Sequence, residues 1–141
     1  MVTKLSTKAM GAALALEFAS VCAYRGATVC EPFGDFSPYD LLLDVPKVGF
    51  FRVQVKAASL RSDGKYTYNT QTRIPCVGAT GKMSSKAQRY SQGVVDALVS
   101  KIGVDWFIHD NVHTLPASVT INPTTDGKYA SATNAWGKFG L

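Results

Sequence analysis

Residues 40–57 constrain the fold most. Leu41-Leu42-Leu43-Asp44-Val45 is a short continuous apolar run, the pattern of a strand buried on both faces. Pro46-Lys47-Val48-Gly49 makes a turn, and Phe50 to Ala57 follows as a second strand. The second strand alternates, with Arg52, Gln54 and Lys56 on one face and Phe51, Val53 and Val55 on the other. An acid, Asp40, stands at the mouth of the first strand. The hairpin thus sets one acid beside an amide and a lysine.

Around it, residues 7–25 are rich in Ala and Leu and poor in β-branched side chains, which favours a helix. Ser6 or Thr7 is a fitting N-cap and Gly26 a fitting C′ residue. A short extended piece, 27–30, leads into an irregular loop, Glu31 to Pro38, with two prolines and a glycine. Asp63-Gly64 signals a turn before a third strand, Lys65 to Thr70. From Gln71 to Ser85 the sequence is small, polar and glycine-bearing, and it reads as a mobile loop. Val94, Val95, Leu98 and Val99 have helical spacing, so Ser91–Ile102 reads as a second helix stopped by Gly103. Val104–His109 and Val112–Leu115 read as a hairpin across Asp110-Asn111. The tail from Asn122 is polar, yet Trp136 and Phe139 imply that it docks on the body. The order is helix, hairpin, strand, helix, hairpin. That is one α/β domain over residues 1–141, a mixed sheet flanked by helices.

A chain of 141 residues that is 46% hydrophobic is large enough for one sizeable core. No apolar run approaches the ~20 residues of a membrane span. Glu17 interrupts the apolar stretch 10–23, which reads as a soluble helix rather than a signal peptide. Cys22, Cys30 and Cys76 are odd in number and lack paired short spacing, so they read as reduced thiols of an intracellular protein.

The net charge of +5 is unevenly spread. Arg61, Lys65, Arg73, Lys82, Lys86 and Arg89 face Asp63 alone within 57–93, whereas the segments on either side nearly balance. A concentrated positive segment suits a phosphate backbone, although a solvated lysine-bearing surface has the same composition.

Phosphodiester hydrolysis needs a metal to neutralise developing charge and a positioned water. Mg²⁺ prefers oxygen ligands and keeps several waters, so two or three protein oxygens suffice. Asp40 offers a carboxylate, Gln54 a side-chain carbonyl and Val55 its backbone carbonyl. Lys56, on the face of Gln54, is suited to orienting or deprotonating the water. The same spacing also fits an exposed Arg-x-Gln-x-Lys face on an edge strand. Two other apparent motifs fail. Gly78-Ala79-Thr80-Gly81-Lys82-Met83 is one residue short of a phosphate loop and ends in Met83. His109 and His113 are separated by a turn rather than sharing a helix face, and they read as structural.

Pro32-Phe33-Gly34-Asp35, Ser37-Pro38-Tyr39-Asp40-Leu41 and Arg52-Val53-Gln54-Val55-Lys56 together resemble the core of the PD-(D/E)XK nuclease superfamily. In particular they resemble its group I intron-associated homing endonucleases, in which glutamine replaces the second acid. The likeness spans roughly residues 6–75, and Val104-Asp105-Trp106-Phe107 with Leu115-Pro116 resembles the later hairpin. It implies a restriction-endonuclease-like α/β core, Mg²⁺, and double-stranded DNA as substrate. It also implies a first-helix glutamate completing the metal site. Glu17 would take that role, with Asp35 a nearby substitute, although the family pattern sets the acid nearer Ala15. Asp40, Gln54, Val55 and Glu17 would then hold the metal, with Lys56 acting on water or phosphate.

DNA contacts are expected from Arg61, Lys65, Tyr66, Tyr68, Gln71, Arg73, Lys82, Lys86 and Arg89, most of them positioning the duplex rather than reading it. A domain this small covers few base pairs, so a long site implies a homo-oligomer, a dimer or tetramer. The expected setting is the cytoplasm of a bacterial or phage-infected cell. A Holliday-junction resolvase and a catalytically decayed DNA-binding module remain the alternatives.

Overall fold

The computed structural model describes residues 3–34, 36–124 and 127–141. Helix α1 (Thr7–Tyr24) starts at Ser6, whose hydroxyl accepts from the Ala9 N–H at 3.2 Å. It ends where Gly26 takes φ 100, a conformation that suits glycine. Its buried stripe, Phe18 and Cys22 with half-buried Leu14, Ala15 and Ala19, follows the i, i+3/i+4 period.

That stripe packs on a five-stranded mixed sheet. β1 (Thr28–Cys30), β2 (Leu41–Val45) and β3 (Gly49–Val55) run antiparallel. β8 (Ala97–Ile102) then lies parallel to β3, and β9 (Asp105–His109) closes the order β1-β2-β3-β8-β9. Between β3 and β8 the chain forms β4 (Ser59–Leu60), β5 (Tyr66–Asn69) and a long hairpin, β6 (Gln71–Val77) with β7 (Met83–Arg89). β10 (Ser118–Ile121) joins β5 and β4 in a three-stranded sheet.

Two apolar clusters separate the layers. One joins α1 to the sheet through Leu43, Val53, Val99 and Ile108, and the tail seals it with Trp136 and Phe139. Phe18 stacks 5.6 Å from Trp136. Gly140 (φ 72) lets the tail close on the β2–β3 turn, because a Cβ there would come 2.8 Å from Val48 Cγ2. The second cluster joins Leu98, Ile102 and Phe107 to Tyr68, Leu115 and Val119 of the smaller sheet side. The expected α/β class with a mixed sheet holds, with one α-helix on one face and a small sheet on the other.

Three expectations about local structure are corrected. Ser91–Ile102 does not form a helix. Its second half is β8, with Ala97, Leu98, Val99 and Ser100 all at 1% exposure or less. A strand covered on both faces loses its alternation and cannot be told from a buried helix by periodicity. Gln71–Ser85 is no loop, because seven rungs from Gln71↔Arg89 to Val77↔Met83 pair β6 with β7. Its residues are largely solvated on both faces, so no apolar alternation marks it. Val112–Thr114 is a 3₁₀ turn, closed by Asn111 Nδ2 donating to Thr114 Oγ1 at 3.2 Å. The tail does dock, as its aromatics imply.

The parallel junction is held by one clamp. Asp96 Oδ2 accepts from the Arg52 N–H at 2.7 Å and from Arg52 Nε at 2.9 Å, while Oδ1 accepts from Nη2 at 2.9 Å. The Asp96 N–H returns to the Arg52 carbonyl at 2.9 Å. Arg52 holds the Asp96 carboxyl below its ordinary pKa. Asp96→Ala is therefore expected to cost about 1.5 kcal/mol, the lower end for hydrogen bonds to a charge, since both side chains are partly solvated. Urea unfolding would read the loss as a shifted midpoint at constant slope, and a shift under ~0.3 kcal/mol would contradict the clamp.

Candidate active site

The β2–β3 hairpin and β8 position the polar group step by step. The Asp40 N–H donates to the Val53 carbonyl at 2.9 Å, which continues the ladder one residue before β2. Asp40 Oδ2 accepts from the Val55 N–H at 2.9 Å and from Gln54 Nε2 at 2.9 Å. Gln54 Nε2 also lies 3.4 Å from the Val55 carbonyl. The Lys56 N–H donates to the Val99 carbonyl at 2.8 Å, which ties the residue to β8. Lys56 Nζ donates to the Gln71 carbonyl at 2.9 Å and stands 5.7 Å from the Tyr90 ring. Asp40, Gln54, Val55 and Lys56 are thus brought together.

Burial sets the electrostatics. It pushes the Asp40 carboxyl above its ordinary pKa, against the Val55 N–H and the Lys56 charge, which pull it down. It pushes the Lys56 amine below its ordinary value, against the Asp40 charge. These groups line an open cavity of about 810 Å³ whose other wall is α1, through Thr7, Lys8, Gly11 and Ala15. Glu31 stands on the rim.

The donors Asp40, Gln54 and Val55 are all oxygens, which fits a hard divalent cation. Among the described residues no three His, Cys, Asp or Glu side chains form a metal cage. Such a site would therefore rely on carbonyl oxygens and water. With Nε2 committed, the Gln54 amide oxygen takes no part in the hydrogen bonds described, and neither does Asp40 Oδ1.

An acid at the end of one strand and Gln-x-Lys on the next, in a mixed sheet against one helix, define a nuclease of the PD-(D/E)XK type. Residues 5–126 match the family model described as PD-(D/E)XK endonuclease, and the chain belongs to that family. It is a nuclease. A solved structure titled as that of a bacterial homing endonuclease, I-Ssp6803I, superposes with a TM-score of 0.76. The two are 19% identical, and the match covers 94% of this chain and 92% of that one. At that identity the likeness bears on the fold. No curated protein matches the chain.

Glu17 does not join the group. It lies two residues beyond Ala15, about 200° around the helix, and pairs instead with Lys101 of β8. The helix wall of the cavity carries Ala15 and Lys8 but no carboxylate. Asp35 lies outside the described residues.

The expected DNA-contact residues divide. Arg73, Lys82, Lys86 and Arg89 lie exposed on the β6–β7 ribbon or its turn. Register sets Gln71, Arg73 and Arg89 on one face and Lys86 on the other. Arg73 Nη1 donates to Ser85 Oγ at 3.1 Å. Arg61 pairs with Asp63 at 3.2 Å in the β4–β5 turn, where Lys65 is half-buried. Tyr66 packs, half-buried, against the second cluster.

Tyr68 is no DNA contact. It is 2% exposed, and its hydroxyl lies 2.6 Å from His109 Nε2. Burial raises the Tyr68 pKa, so the phenol stays protonated in this pair. Missed at the sequence level were Asp96, Glu31 and Tyr90. Asp96 and Glu31 are isolated acids at element ends, and nothing local gives away their partners.

Burial lowers the His109 pKa to about 4, with Lys138 adding to the shift. The unfolded histidine protonates near 6.5, so the unfolded chain binds the extra proton between the two values. Stability is expected to fall as pH drops from about 6.5 to 4, by up to roughly 3 kcal/mol from this residue. His109→Gln should flatten that slope in urea titrations at successive pH values, and an unchanged slope would remove His109 as the cause.

Proposed function

We propose that this nuclease is a Mg²⁺-dependent, site-specific endonuclease of double-stranded DNA, of the intron-homing type and acting as a homo-oligomer. The observation that carries the reading is the Asp40 carboxylate, pinned by the Val55 N–H and the Gln54 amide, with Lys56 beside it in one open cavity.

Asp40, the Gln54 amide oxygen and the Val55 carbonyl would hold the cation. When bound, a divalent ion neutralises charge on the phosphate and makes a nucleophile of water near neutral pH. Lys56 is the proton-handling group. Its amine, with a pKa pushed down by burial, is suited to accepting a proton from the attacking water or donating to a phosphoryl oxygen. The Gln71 carbonyl and the Tyr90 ring hold it in reach meanwhile.

The ribbon supports a duplex substrate. A two-stranded antiparallel ribbon fits the B-DNA major groove, and this one has Arg73, Lys86 and Arg89 along it and Lys82 at its turn. Its root, Gln71, is bonded to Lys56, so groove engagement and chemistry are adjacent. The I-Ssp6803I likeness and the Gln-x-Lys pattern support the homing class. Fully exposed Phe33 and Phe36, with Phe50 at 67%, support a covering second copy. All of 1–141 would act as one nuclease domain. Among the described residues no helix is long and apolar enough to cross a membrane, and the expected setting remains the cytoplasm.

Lys56→Ala and Asp40→Asn are each expected to lower Mg²⁺-dependent duplex cleavage by about 10²–10⁴-fold, while Lys56→Ala still binds DNA. Plasmid and linear-duplex nicking would measure it, and cleavage by Lys56→Ala at the unsubstituted rate would refute the assignment. A four-way junction cut in preference to a linear duplex would instead favour a resolvase. Lys86→Ala should weaken DNA binding and reduce the slope of log K against log [salt] by about 0.9, as expected for one phosphate contact. Fluorescence anisotropy across a salt series reads that slope.

A further inference from the structure

We propose that Glu31, at the end of β1, supplies the second carboxylate of the metal site, in place of a helix acid. The inference rests on the metal-dependent reading above and assigns one of its ligands. Thr28, Val29 and Cys30 of β1 pair with Asp44, Leu43 and Leu42 of β2. One step further, Glu31 comes level with Leu41, next to Asp40. Side chains alternate along a strand, so Glu31 shares the face of Val29 and Leu41, whereas Gln54 and Lys56 project from the opposite face. The cavity at this end of the sheet is lined from both faces and takes in Glu31, Asp40, Gln54 and Lys56. Asp40 and Glu31 are the carboxylates of that lining.

The helix wall offers no substitute, since Glu17 points away to Lys101. Among the described residues the four ion pairs also leave Glu31 without a cationic partner. A divalent cation held between these two carboxylates would be neutralised by both. A carboxylate at the end of a short edge strand has the freedom to swing toward Asp40. Strand pairing with β2 ends at Cys30, and Pro32 and Gly34 follow.

The test is Mn²⁺ binding to the full chain without DNA, followed by calorimetry and by the Mn²⁺ electron paramagnetic resonance signal. Glu31→Gln is expected to weaken binding roughly tenfold or more, because ligand charge count sets divalent affinity. The deficit should persist in about 1 M KCl, where the screening length is ~3 Å and only direct ligation survives. Glu17→Gln removes the same charge from the far side of α1 and should bind within about twofold of the unsubstituted chain. Glu31→Gln binding like the unsubstituted chain, or a deficit that vanishes in 1 M KCl, overturns the assignment. If Asp40→Asn abolishes binding in the same series while Glu31→Gln does not weaken it, only Glu31 is wrong. If Asp40→Asn also leaves binding intact, or the unsubstituted chain binds no Mn²⁺, the metal-dependent reading falls with it. Circular dichroism of each variant establishes that it is folded.

Discussion

The Arg52–Asp96 clamp is the interaction on which the rest depends. β3 and β8 are distant in sequence and parallel, and parallel pairing has no tight turn to set its register. Asp96 supplies the missing constraint at the entry of β8. Its carboxylate takes the Arg52 N–H and two guanidinium N–H groups, and its own N–H returns to the Arg52 carbonyl. Val53, Gln54 and Val55 then lie against Ala97, Leu98 and Val99, and the Lys56 N–H meets the Val99 carbonyl. A one-residue slip would turn Gln54 and Lys56 to the core face. The site therefore inherits its geometry from a salt bridge that takes no part in chemistry.

On the proposed reading, that arrangement would also join chemistry to recognition within a short stretch of chain. Asp40 and Gln54 lie on the hairpin, Lys56 follows at once, and its amine rests on the carbonyl that begins the β6–β7 ribbon. The ribbon projects with most of both faces solvated, while its root packs beside the buried Tyr90. The chain spends little of its apolar content there and concentrates it in two clusters on either side of the main sheet. β8 and β9, shared by both clusters, back the sheet while the ribbon is left exposed.

Legibility followed burial and locality. The helix over 7–25 was readable because caps and composition agree over its length. The hairpin over 41–55 and the Asp63-Gly64 turn were readable because adjacent strands and turn chemistry are local. Asp40, Gln54 and Lys56 could be grouped for the same reason, since a hairpin brings its own ends together. β8 was misread because cover on both faces erases alternation, and the β6–β7 ribbon because exposure on both faces does so equally. Tyr68 looked like a strand-face aromatic, whereas the His109 that its hydroxyl pairs with comes from β9. Glu17 stood on the right helix but on the wrong side of it, by about 200°.

By itself the amino-acid sequence determined what nearest-neighbour forces decide: one capped helix, one hairpin, the turns, and the Asp40, Gln54 and Lys56 grouping that a hairpin enforces. It also determined the concentration of positive charge in 57–93, because charge is additive and needs no fold. Only the tertiary structure decided which face of α1 meets the cavity, which strand lies parallel to β3, and which cation Glu17 pairs with. Those outcomes depend on pairings between residues tens of positions apart, Arg52 with Asp96 and Glu17 with Lys101. Their energies are settled by which surfaces are buried together, and no local pattern records that.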